Sequence, residues 1–180
     1  MTEQELTAQL KEGNNLAREE LYKLFAGQLL ALAIRYVGNR EEAEDVLHDG
    51  FLLIFDKVSK FTYKGSGSLS AWLQRVFTNH VLSYLSKERK MMMKEVDEVP
   101  DPVDEDEAPP SISTDTILSL ITELPTGFRT VLNLYLVEGW SHAEIAAKLG
   151  IKESTSASQY LRAKKLLREK ITNYLNAQEL

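Results

Sequence analysis

The sequence predicts an all-α protein built from two small helical domains that an acidic, flexible linker joins. Apolar residues recur at three- and four-residue spacing on both sides of the linker, which is typical of amphipathic helices, and no stretch alternates like a strand. Residues 95–113 lack an apolar period, are rich in acids and contain four of the five prolines. Because such a segment buries too little apolar surface to pack, the predicted divisions are 1–94, 95–113 and 114–180.

Three helices are predicted in the first domain. The first ends at Gly38, a residue that tolerates the left-handed conformation of a helix C-cap. Asn39 and Glu42 form a capping-box pattern, which opens the second helix. The polar segment 61–68 follows, and the third helix runs from about residue 69 to residue 90. The apolar faces consist of Leu21, Phe25, Leu29, Leu32 and Tyr36 in the first helix, of Ala43, Val46, Leu47, Phe51, Ile54, Phe55 and Val58 in the second, and of Leu69, Trp72, Leu73, Val76, Phe77 and Tyr84 in the third.

The second domain has the layout of a helix-turn-helix. One short amphipathic helix is predicted on each side of Pro125. Ser141 and Glu144 then form a capping box that starts a third helix, which ends at Gly150. A long basic helix begins near Thr155, as the second helix of that motif does. Helical periodicity gives this helix one mainly apolar side and one polar side. The first side carries Ser156, Tyr160, Ala163, Leu167, Ile171 and Tyr174, and the opposite side carries Thr155, Ser158, Arg162 and Lys165, with Gln159 on the flank.

Charge is segregated along the chain, although its net value is -6. Residues 57–94 carry eight Lys or Arg and one acid, and residues 148–170 carry seven and two. Residues 95–107 hold eight acids and no base. Two separated basic segments indicate two contacts with a polyanion, whereas two solvated helix faces are the alternative that charge alone leaves open.

The polar side of the long basic helix carries side chains that can read duplex DNA. In a helix-turn-helix the first helix braces the second, whose outward side chains enter the major groove. Arg162 can donate two hydrogen bonds to guanine, and Gln159 can pair with adenine. Ser158 can bond either base, while Lys165 suits a phosphate. The bracing helix favours this DNA contact over a merely solvated face.

The composition argues against an enzyme and against a metal centre. The chain has no cysteine, and His48, His80 and His142 fall in three different predicted helices, without the spacing of a helical metal pair. The carboxylates lie at caps, on one acidic helix face or in the linker, so no catalytic acid–base pair stands out. No cofactor, metal or small-molecule substrate is therefore expected. The start of the chain is polar and acidic, unlike a secretory signal, and the chain has no long apolar run. We therefore expect a protein that is neither exported nor inserted into a membrane, and the lack of cysteine fits the cytoplasm.

The C-terminal segment LPTGFRTVLNLYLVEGWSHAEIAAKLGIKESTSASQYLRAKKLLREKI resembles region four of extracytoplasmic-function sigma factors. That family has Leu-Pro, an apolar helix, an acidic-glycine turn with an aromatic, Ser-x-x-Glu-Ile-Ala, Leu-Gly-Ile and a basic recognition helix. Two positions depart, since Ala157 and Gln159 stand where the family commonly has Lys and Arg, which weakens phosphate contact. The matching residues are Leu124, Pro125, Glu138, Gly139, Trp140, Ser141, Glu144, Ile145, Ala146, Leu149, Gly150 and Ile151.

The first domain resembles sigma region two through AEDVLHDGFLLIFDKVSKF and GSLSAWLQRVFTNHVLSYLSKERK. The resemblance implies that the acidic second helix docks on the coiled coil of the largest polymerase subunit, through Glu44, Asp45, Val46, Asp49 and Phe51. It also implies that the third helix and the loop before it hold the melted minus-ten element. Basic grooves and stacking aromatics suit single-stranded DNA. The candidate residues are Phe61, Tyr63, Lys64, Arg75, Thr78, Asn79 and Lys87, with Lys57, Lys60, Gln74, Arg89 and Lys90 as further contributors.

Some of these aromatic residues have a structural alternative. Trp72 and Tyr84 lie on the apolar stripe of the third helix, where core packing is favoured over base stacking. Phe61 and Tyr63 flank a polar loop, so contact with an extruded base and packing against the fold both stay open.

The resemblance implies a dissociable initiation factor that binds core RNA polymerase and promoter DNA and directs promoter recognition and melting. It also implies an anti-sigma factor that holds the chain in check. The acidic linker would thread through the polymerase, or act as a spacer kept soluble by its charge. The main alternative is a duplex-binding regulator that uses only the helix-turn-helix and dimerises through the N-terminal helices. A pure protein-interaction module is disfavoured, because it would need no basic segments.

Overall fold

A computed structural model describes residues 1–87 and 111–179, which fall into two compact units within Met1–Glu88 and Arg89–Leu180. Every regular element in these two ranges is helical, which confirms the all-α prediction. Residues 88–110 and 180 lie outside the described residues. They include the predicted end of the third helix, with Arg89 and Lys90, and most of the predicted linker. The exact division at 94 and 95 and the two interpretations of the linker therefore stay predictions.

The first unit contains four α-helices and one 3-10 turn among its described residues. These are α1 (Glu3–Lys11), α2 (Asn15–Val37), α3 (Arg40–Lys57), the turn Val58–Lys60 and α4 (Ser68–Lys87). Helix α2 packs against α1, α3 and α4, and α3 also packs against α4. The core includes the large apolar residues Leu21, Leu29, Leu32, Tyr36, Val46, Phe51, Ile54, Leu69, Leu73, Phe77, Val81, Leu82 and Leu85.

The predicted caps separate α2 from α3. Gly38 follows α2 with a φ of 78°, the left-handed conformation that favours glycine. Asn39 opens α3, because its side-chain oxygen accepts a hydrogen bond from the Glu42 N–H at 3.1 Å. A two-residue connection with a cap on each side ends one helix and starts the next, so the chain turns back and α2 and α3 pack as neighbours.

Helix α1 is an element that the apolar pattern did not predict. Leu6 and Leu10 are its large apolar residues, and both are buried. A reciprocal capping box starts the helix: Thr2 Oγ1 accepts from the Glu5 N–H at 3.2 Å, and Glu5 Oε2 accepts from the Thr2 N–H at 2.8 Å. The Thr-x-x-Glu pattern was the sequence signal for this helix, since two apolar residues alone show no period.

Gly50 lets α3 and α4 approach each other closely. A Cβ atom at this position would lie 2.4 Å from Cε2 and 2.7 Å from Cδ2 of Phe77. Both distances are far inside van der Waals contact, and Phe77 is fully buried in the core, so its ring has little room to move. The close approach explains a glycine in the interior of a helix, where glycine is otherwise unfavourable.

Replacing Gly50 by alanine is expected to lower the unfolding free energy of the first unit by about 1–3 kcal/mol, because the added methyl group overpacks the core. The control is Gly27→Ala in α2, where a Cβ atom would meet nothing within 4 Å. That change should stabilise the unit by roughly 0.5–1 kcal/mol through helix propensity. Urea titrations followed by Trp72 fluorescence in a Trp140→Phe background measure both variants. Equal stability of the two would contradict the close packing at Gly50.

The second unit contains four α-helices and a π-helical segment among its described residues. These are α5 (Thr114–Thr122), α6 (Thr126–Leu132), the π-helical segment Asn133–Val137, α7 (His142–Leu149) and α8 (Glu153–Gln178). Helix α8 packs against α5, α6 and α7, so it organises the whole unit. One cluster of its core consists of Leu120, Ile121, Leu124, Leu132, Ala163 and Leu167.

The predicted helix-turn-helix signals are confirmed. Ser141 Oγ accepts from the Glu144 N–H at 3.1 Å, and Glu144 Oε2 accepts from the Ser141 N–H at 2.9 Å, which completes the capping box of α7. Gly150 ends α7 with a φ of 69°. Helix α8 then begins at Glu153, two residues before the predicted Thr155.

Arg129 lies inside the second unit and binds the end of α5. Its side chain is nearly inaccessible, with 6% exposed, and Nη1 donates to the carbonyl oxygens of Thr122 at 2.8 Å and Leu124 at 3.1 Å. Thr122 is the last residue of α5 and Leu124 lies two residues beyond it, where no intrahelical N–H is available to either carbonyl. A buried guanidinium therefore replaces the missing backbone donors.

Candidate nucleic-acid and docking surfaces

The buried side of α8 seats it against the helices that brace it. Ser156 and Ala163 are fully buried, as the helical periodicity predicts. His142, at the start of α7, has its Nδ1 2.9 Å from Ser156 Oγ, and its ring stacks on Tyr135 with centroids 4.2 Å apart. The Tyr160 ring also lies against Tyr135, at 4.5 Å. These contacts join the start of α7 and the π-helical segment to the N-terminal part of α8.

Burial lowers the pKa of His142 below its usual 6.5, and the nearby Glu153 carboxylate partly opposes this effect. The ring is therefore neutral at neutral pH, with one N–H and one acceptor nitrogen. A neutral ring can share a hydrogen bond with the Ser156 hydroxyl in either direction. The contact between the two helices of the motif therefore does not depend on a charged histidine.

The outward side of α8 presents four of the five predicted duplex-reading residues. Thr155, Ser158 and Arg162 are partly exposed, and Lys165 is exposed. The predicted flank position of Gln159 is wrong, because this side chain is buried, with only 3% exposed. It lies three residues after Ser156 and four before Ala163, which places it on the packed side of the helix. Gln159 therefore does not offer its amide to a base edge in this arrangement.

The loop before α4, residues 61–67, is fixed at its start by an aromatic contact. The Phe61 ring lies 5.0 Å from the ring of Trp72 and is buried, with 6% exposed. Of the two alternatives for Phe61, packing against the fold is the one that this structure has. Tyr63 is partly exposed and Lys64 is exposed, and the Lys64 N–H donates to Ser68 Oγ at 3.1 Å. Of the predicted strand-binding residues in the loop, Tyr63 and Lys64 are therefore the accessible ones.

The end of the same loop is bound by a residue from α1. Glu3 Oε2 accepts from the Gly67 N–H at 2.7 Å, and Glu3 Oε1 accepts from the Leu69 N–H at 2.6 Å. The sequence pattern did not point to Glu3, because its partners are more than sixty residues away along the chain.

The outward side of α4 carries three of the four predicted strand-binding residues of this helix. Arg75 and Lys87 are exposed, and Asn79 is partly exposed. The predicted exposure of Thr78 is wrong, because only 1% of it is accessible. Helix α4 packs against both α2 and α3, so a wider arc of it is buried than a single apolar stripe suggests.

Tyr84 and Trp72 are both partly buried on α4, as the core alternative favoured. Tyr84 also donates its hydroxyl to Glu42 Oε2 at 3.2 Å, which links α4 to the first turn of α3. Trp72 supports Phe61 at the base of the loop. Neither ring is set out as an open stacking platform.

The acidic face of α3 presents the charged members of the predicted polymerase-docking set. Glu44, Asp45 and Asp49 are exposed, and Glu44 Oε1 pairs with Arg40 Nε at 2.9 Å. The two apolar members lie on the apolar side of α3 that the helical periodicity predicts, so they are not available for the docking contact that the resemblance implies. Val46 and Phe51 are buried, because they lie on the opposite side of α3, against the core. Their contribution is to the packing that holds the acidic face in place.

Leu52 supplies an apolar element to the acidic face that the prediction missed. It is a large hydrophobic residue with 58% of its surface exposed. Asp45, Asp49, Leu52 and Asp56 follow one another at four-, three- and four-residue intervals, so they share one side of α3. The signal was present in the run FLLIF, where a helix face cannot bury every residue. An exposed leucine among carboxylates fits a partner surface that is basic with an apolar patch.

Neither a metal centre nor a membrane span is found in the described ranges. Residues 1–87 and 111–179 contain no group of three metal-ligating side chains and no helix that combines the length and apolarity needed to cross a bilayer. His80 instead contacts the Val46 carbonyl oxygen through Nε2 at 3.1 Å, and burial lowers its pKa below 6.5. It ties α4 to α3.

Comparison with known families finds a matching family model for each of the two units. The family model "Sigma-70 region 2" matches residues 21–91, and "Sigma-70, region 4" matches residues 114–167. The ECF RNA polymerase sigma factor SigE of Mycolicibacterium smegmatis is 31% identical over 162 residues, which cover 87% of this chain and 62% of that protein. The ECF RNA polymerase sigma factor SigW of Bacillus subtilis is 25% identical over 178 residues, covering 91% and 93%.

A comparison with solved structures also finds a match. It is described as CnrH in complex with the cytosolic domain of CnrY, and the match covers 93% of this chain and 96% of the chain in that structure. The sequence identity is 23% and the TM-score is 0.47.

Proposed function

The chain belongs to the sigma-70 family, as an extracytoplasmic-function sigma factor, and we propose that it binds core RNA polymerase and directs promoter recognition, DNA melting and transcription initiation. The observation that carries the proposal is the presence of region 2 and region 4 on one chain, each falling almost wholly within one compact unit. A regulator that only binds duplex DNA has a use for the second of these units alone.

The second unit is proposed to read the upstream promoter element as a duplex. Helix α8 would lie in the major groove, with α7 bracing it from behind. Arg162 and Ser158 would contact base edges, and Lys165 would contact a phosphate. Ser156 and Ala163 pack against the rest of the unit, and this packing turns the opposite side of α8, with Arg162, Ser158 and Lys165, outward. It therefore supports the proposed orientation.

The first unit is proposed to hold the melted minus-ten strand. The exposed Lys64, Arg75 and Lys87 would follow the phosphates, and Tyr63 near the loop tip would contact an unstacked base. Asn79 would offer its amide to a base edge. The buried Phe61 and Thr78 would support this surface from inside.

The acidic face of α3 is proposed to dock on core polymerase. Its carboxylates require a basic partner surface, and Leu52 requires an apolar patch within it. Docking by this face leaves the loop and α4 available for DNA.

The factor is proposed to work with polymerase in the cytoplasm and to catalyse no reaction itself. Polymerase supplies the chemistry, and this chain supplies the promoter contacts. An anti-sigma factor is proposed to restrain it by covering the acidic face of α3. The exposed Leu52, and in the second unit the exposed Leu136 and Val137, are apolar groups that such a partner could cover.

Run-off transcription tests the proposed function. The purified chain is mixed with bacterial core polymerase and genomic DNA fragments, and transcripts are mapped at their 5′ ends. Discrete start sites with shared upstream sequences would support the proposal and reveal both promoter elements. Failure to bind core polymerase, together with tight sequence-specific binding to duplex DNA alone, would instead establish a conventional regulator.

Arg162→Ala is expected to weaken promoter binding by the holoenzyme by about 1–3 kcal/mol and to relax specificity at one base pair, because a bidentate contact to guanine would be lost. Lys165→Ala is the matched comparison. It should weaken binding almost equally on all sequences and reduce the salt dependence, as a phosphate contact does. Binding to a panel of single-base promoter variants separates the two. A uniform loss with Arg162→Ala would reassign that residue to a phosphate.

A further inference from the structure

We propose that Glu3 is a positioning residue for the loop that captures the melted strand, an inference that rests on the proposed function. Glu3 lies in the first turn of α1, far from the loop in sequence. Both oxygens of its carboxylate are nevertheless used by the loop end, where Oε2 accepts from the Gly67 N–H at 2.7 Å and Oε1 accepts from the Leu69 N–H at 2.6 Å. One side chain thus holds the junction between the loop and α4.

The chemistry of this contact makes it a strong anchor. The first N–H groups of a helix have no partner within the helix, and Leu69 is the second residue of α4. A carboxylate suits this position, because the N-terminal end of a helix carries a partial positive charge. Hydrogen bonds to an ionised acceptor are also shorter and stronger than neutral ones. Glu3 therefore acts as an N-terminal cap supplied from another helix.

Helix α1 is itself held firmly, so Glu3 can act as a fixed point. The capping box of Thr2 and Glu5 starts the helix, and Leu6 and Leu10 bury its inner side. Helix α1 also packs against the 3-10 turn Val58–Lys60, which leads into the loop. The same helix therefore contacts the chain just before the loop and at its end.

The loop tip between these anchors is the part proposed to meet DNA. Gly65 and Gly67 have φ angles of 118° and 84°, so this segment contains residues with wide conformational freedom. Ordering such a segment on binding costs entropy, and an anchor that orders it beforehand lowers that cost. Glu3 would thus pre-set the position of Tyr63 and Lys64 for an unstacked base.

The test measures how strongly binding depends on single unpaired bases. Holoenzyme made from core polymerase and the full chain is bound to a fork-junction DNA whose non-template strand carries the minus-ten element unpaired. Each unpaired position is replaced in turn by an abasic site. For the wild-type chain we expect a large loss of affinity at the position whose base enters the loop.

Glu3→Gln should reduce that base-specific loss by about tenfold, since the amide can accept only one of the two backbone hydrogen bonds and one of the two contacts is replaced by a repulsive N–H pair. Glu3→Asp keeps the charge but shortens the side chain, so it should behave like Glu3→Gln. Glu12→Gln is the control, because Glu12 is an exposed acid at the other end of α1 and the charge change is the same. It should retain the wild-type profile.

Three results would overturn the inference. The first is an unchanged abasic-site profile in Glu3→Gln. The second is an equal loss of affinity on intact and abasic DNA, which would mark a general effect on folding or charge. The third is a wild-type profile in Glu3→Asp, which would show that only the charge matters. A wild-type chain that binds core polymerase but shows no base-dependent loss at any position would remove the proposed strand capture itself.

Discussion

Replacing Asp45 and Asp49 together by lysine is expected to reduce the affinity of the chain for core polymerase by at least about 100-fold, because like charges would then face each other across the proposed interface. Both carboxylates are exposed on the side of α3 that also presents Leu52. Neither is needed for the core, so the first unit should keep its fold. Titration of labelled polymerase with each variant, at two salt concentrations, measures the loss and its electrostatic share.

The matched control reverses two acids elsewhere on the first unit. Glu12 and Glu19 are exposed, and Glu19 forms only a surface ion pair with Lys23, a contact of little energetic weight. Their double lysine variant should bind polymerase within a few-fold of the wild type. If the control loses as much affinity as the α3 variant, net charge rather than the acidic face directs docking.

Leu52→Ala and Val46→Ala separate docking from packing on the same helix. The exposed Leu52 should contribute to polymerase affinity with little effect on stability. Val46 is 1% exposed, so its truncation should destabilise the unit and leave the affinity of the folded fraction unchanged. The opposite pattern would contradict the assignment of Val46 to the core.

Arg129→Ala is expected to destabilise the second unit by about 2–4 kcal/mol, because it removes hydrogen bonds from a charged donor and leaves buried carbonyls unpaired. The carbonyl oxygens affected are those of Thr122 and Leu124. Arg129→Lys should lose less, since an ammonium group keeps the charge but not the planar fork of donors.

The stability of the second unit can be measured by itself. The chain has two tryptophans, and Trp140 is buried in the second unit while Trp72 belongs to the first. In a Trp72→Phe background, urea unfolding followed by Trp140 fluorescence reports the second unit. Lys148→Ala, at an exposed position of α7, should change stability by less than about 0.5 kcal/mol. An Arg129→Ala variant as stable as this control would show that the buried guanidinium is dispensable.

Local sequence patterns were sufficient to predict most of the helices and their ends. The capping box of Ser141 and Glu144 and the left-handed glycines Gly38 and Gly150 are each determined within a few residues, and the structure has all of them. The same holds for the apolar side of α8. Helix α1 escaped prediction because its apolar residues are too few to show a period, although its capping box was present in the sequence.

Side-chain exposure was predicted less well at the proposed binding surfaces. Gln159 and Thr78 were expected to reach DNA, and both are buried. Phe61, for which base contact and packing were both left open, is buried as well. Helical periodicity gives the direction of a side chain but not the width of the face that neighbouring helices cover. Where α4 meets two helices and α8 meets three, that width exceeds one apolar stripe.

The sequence by itself determined the all-α class, the caps, the segregated charge and, through its two characteristic segments, the family. These properties depend on residues close together in the chain, and local hydrogen bonding and periodicity are strong enough to specify them. Only the tertiary structure decided that Glu3 binds the loop end, that Arg129 caps α5 from inside and that Leu52 stays exposed. Each of these depends on which elements pack together, and that choice is made by the summed burial of many side chains distant in sequence.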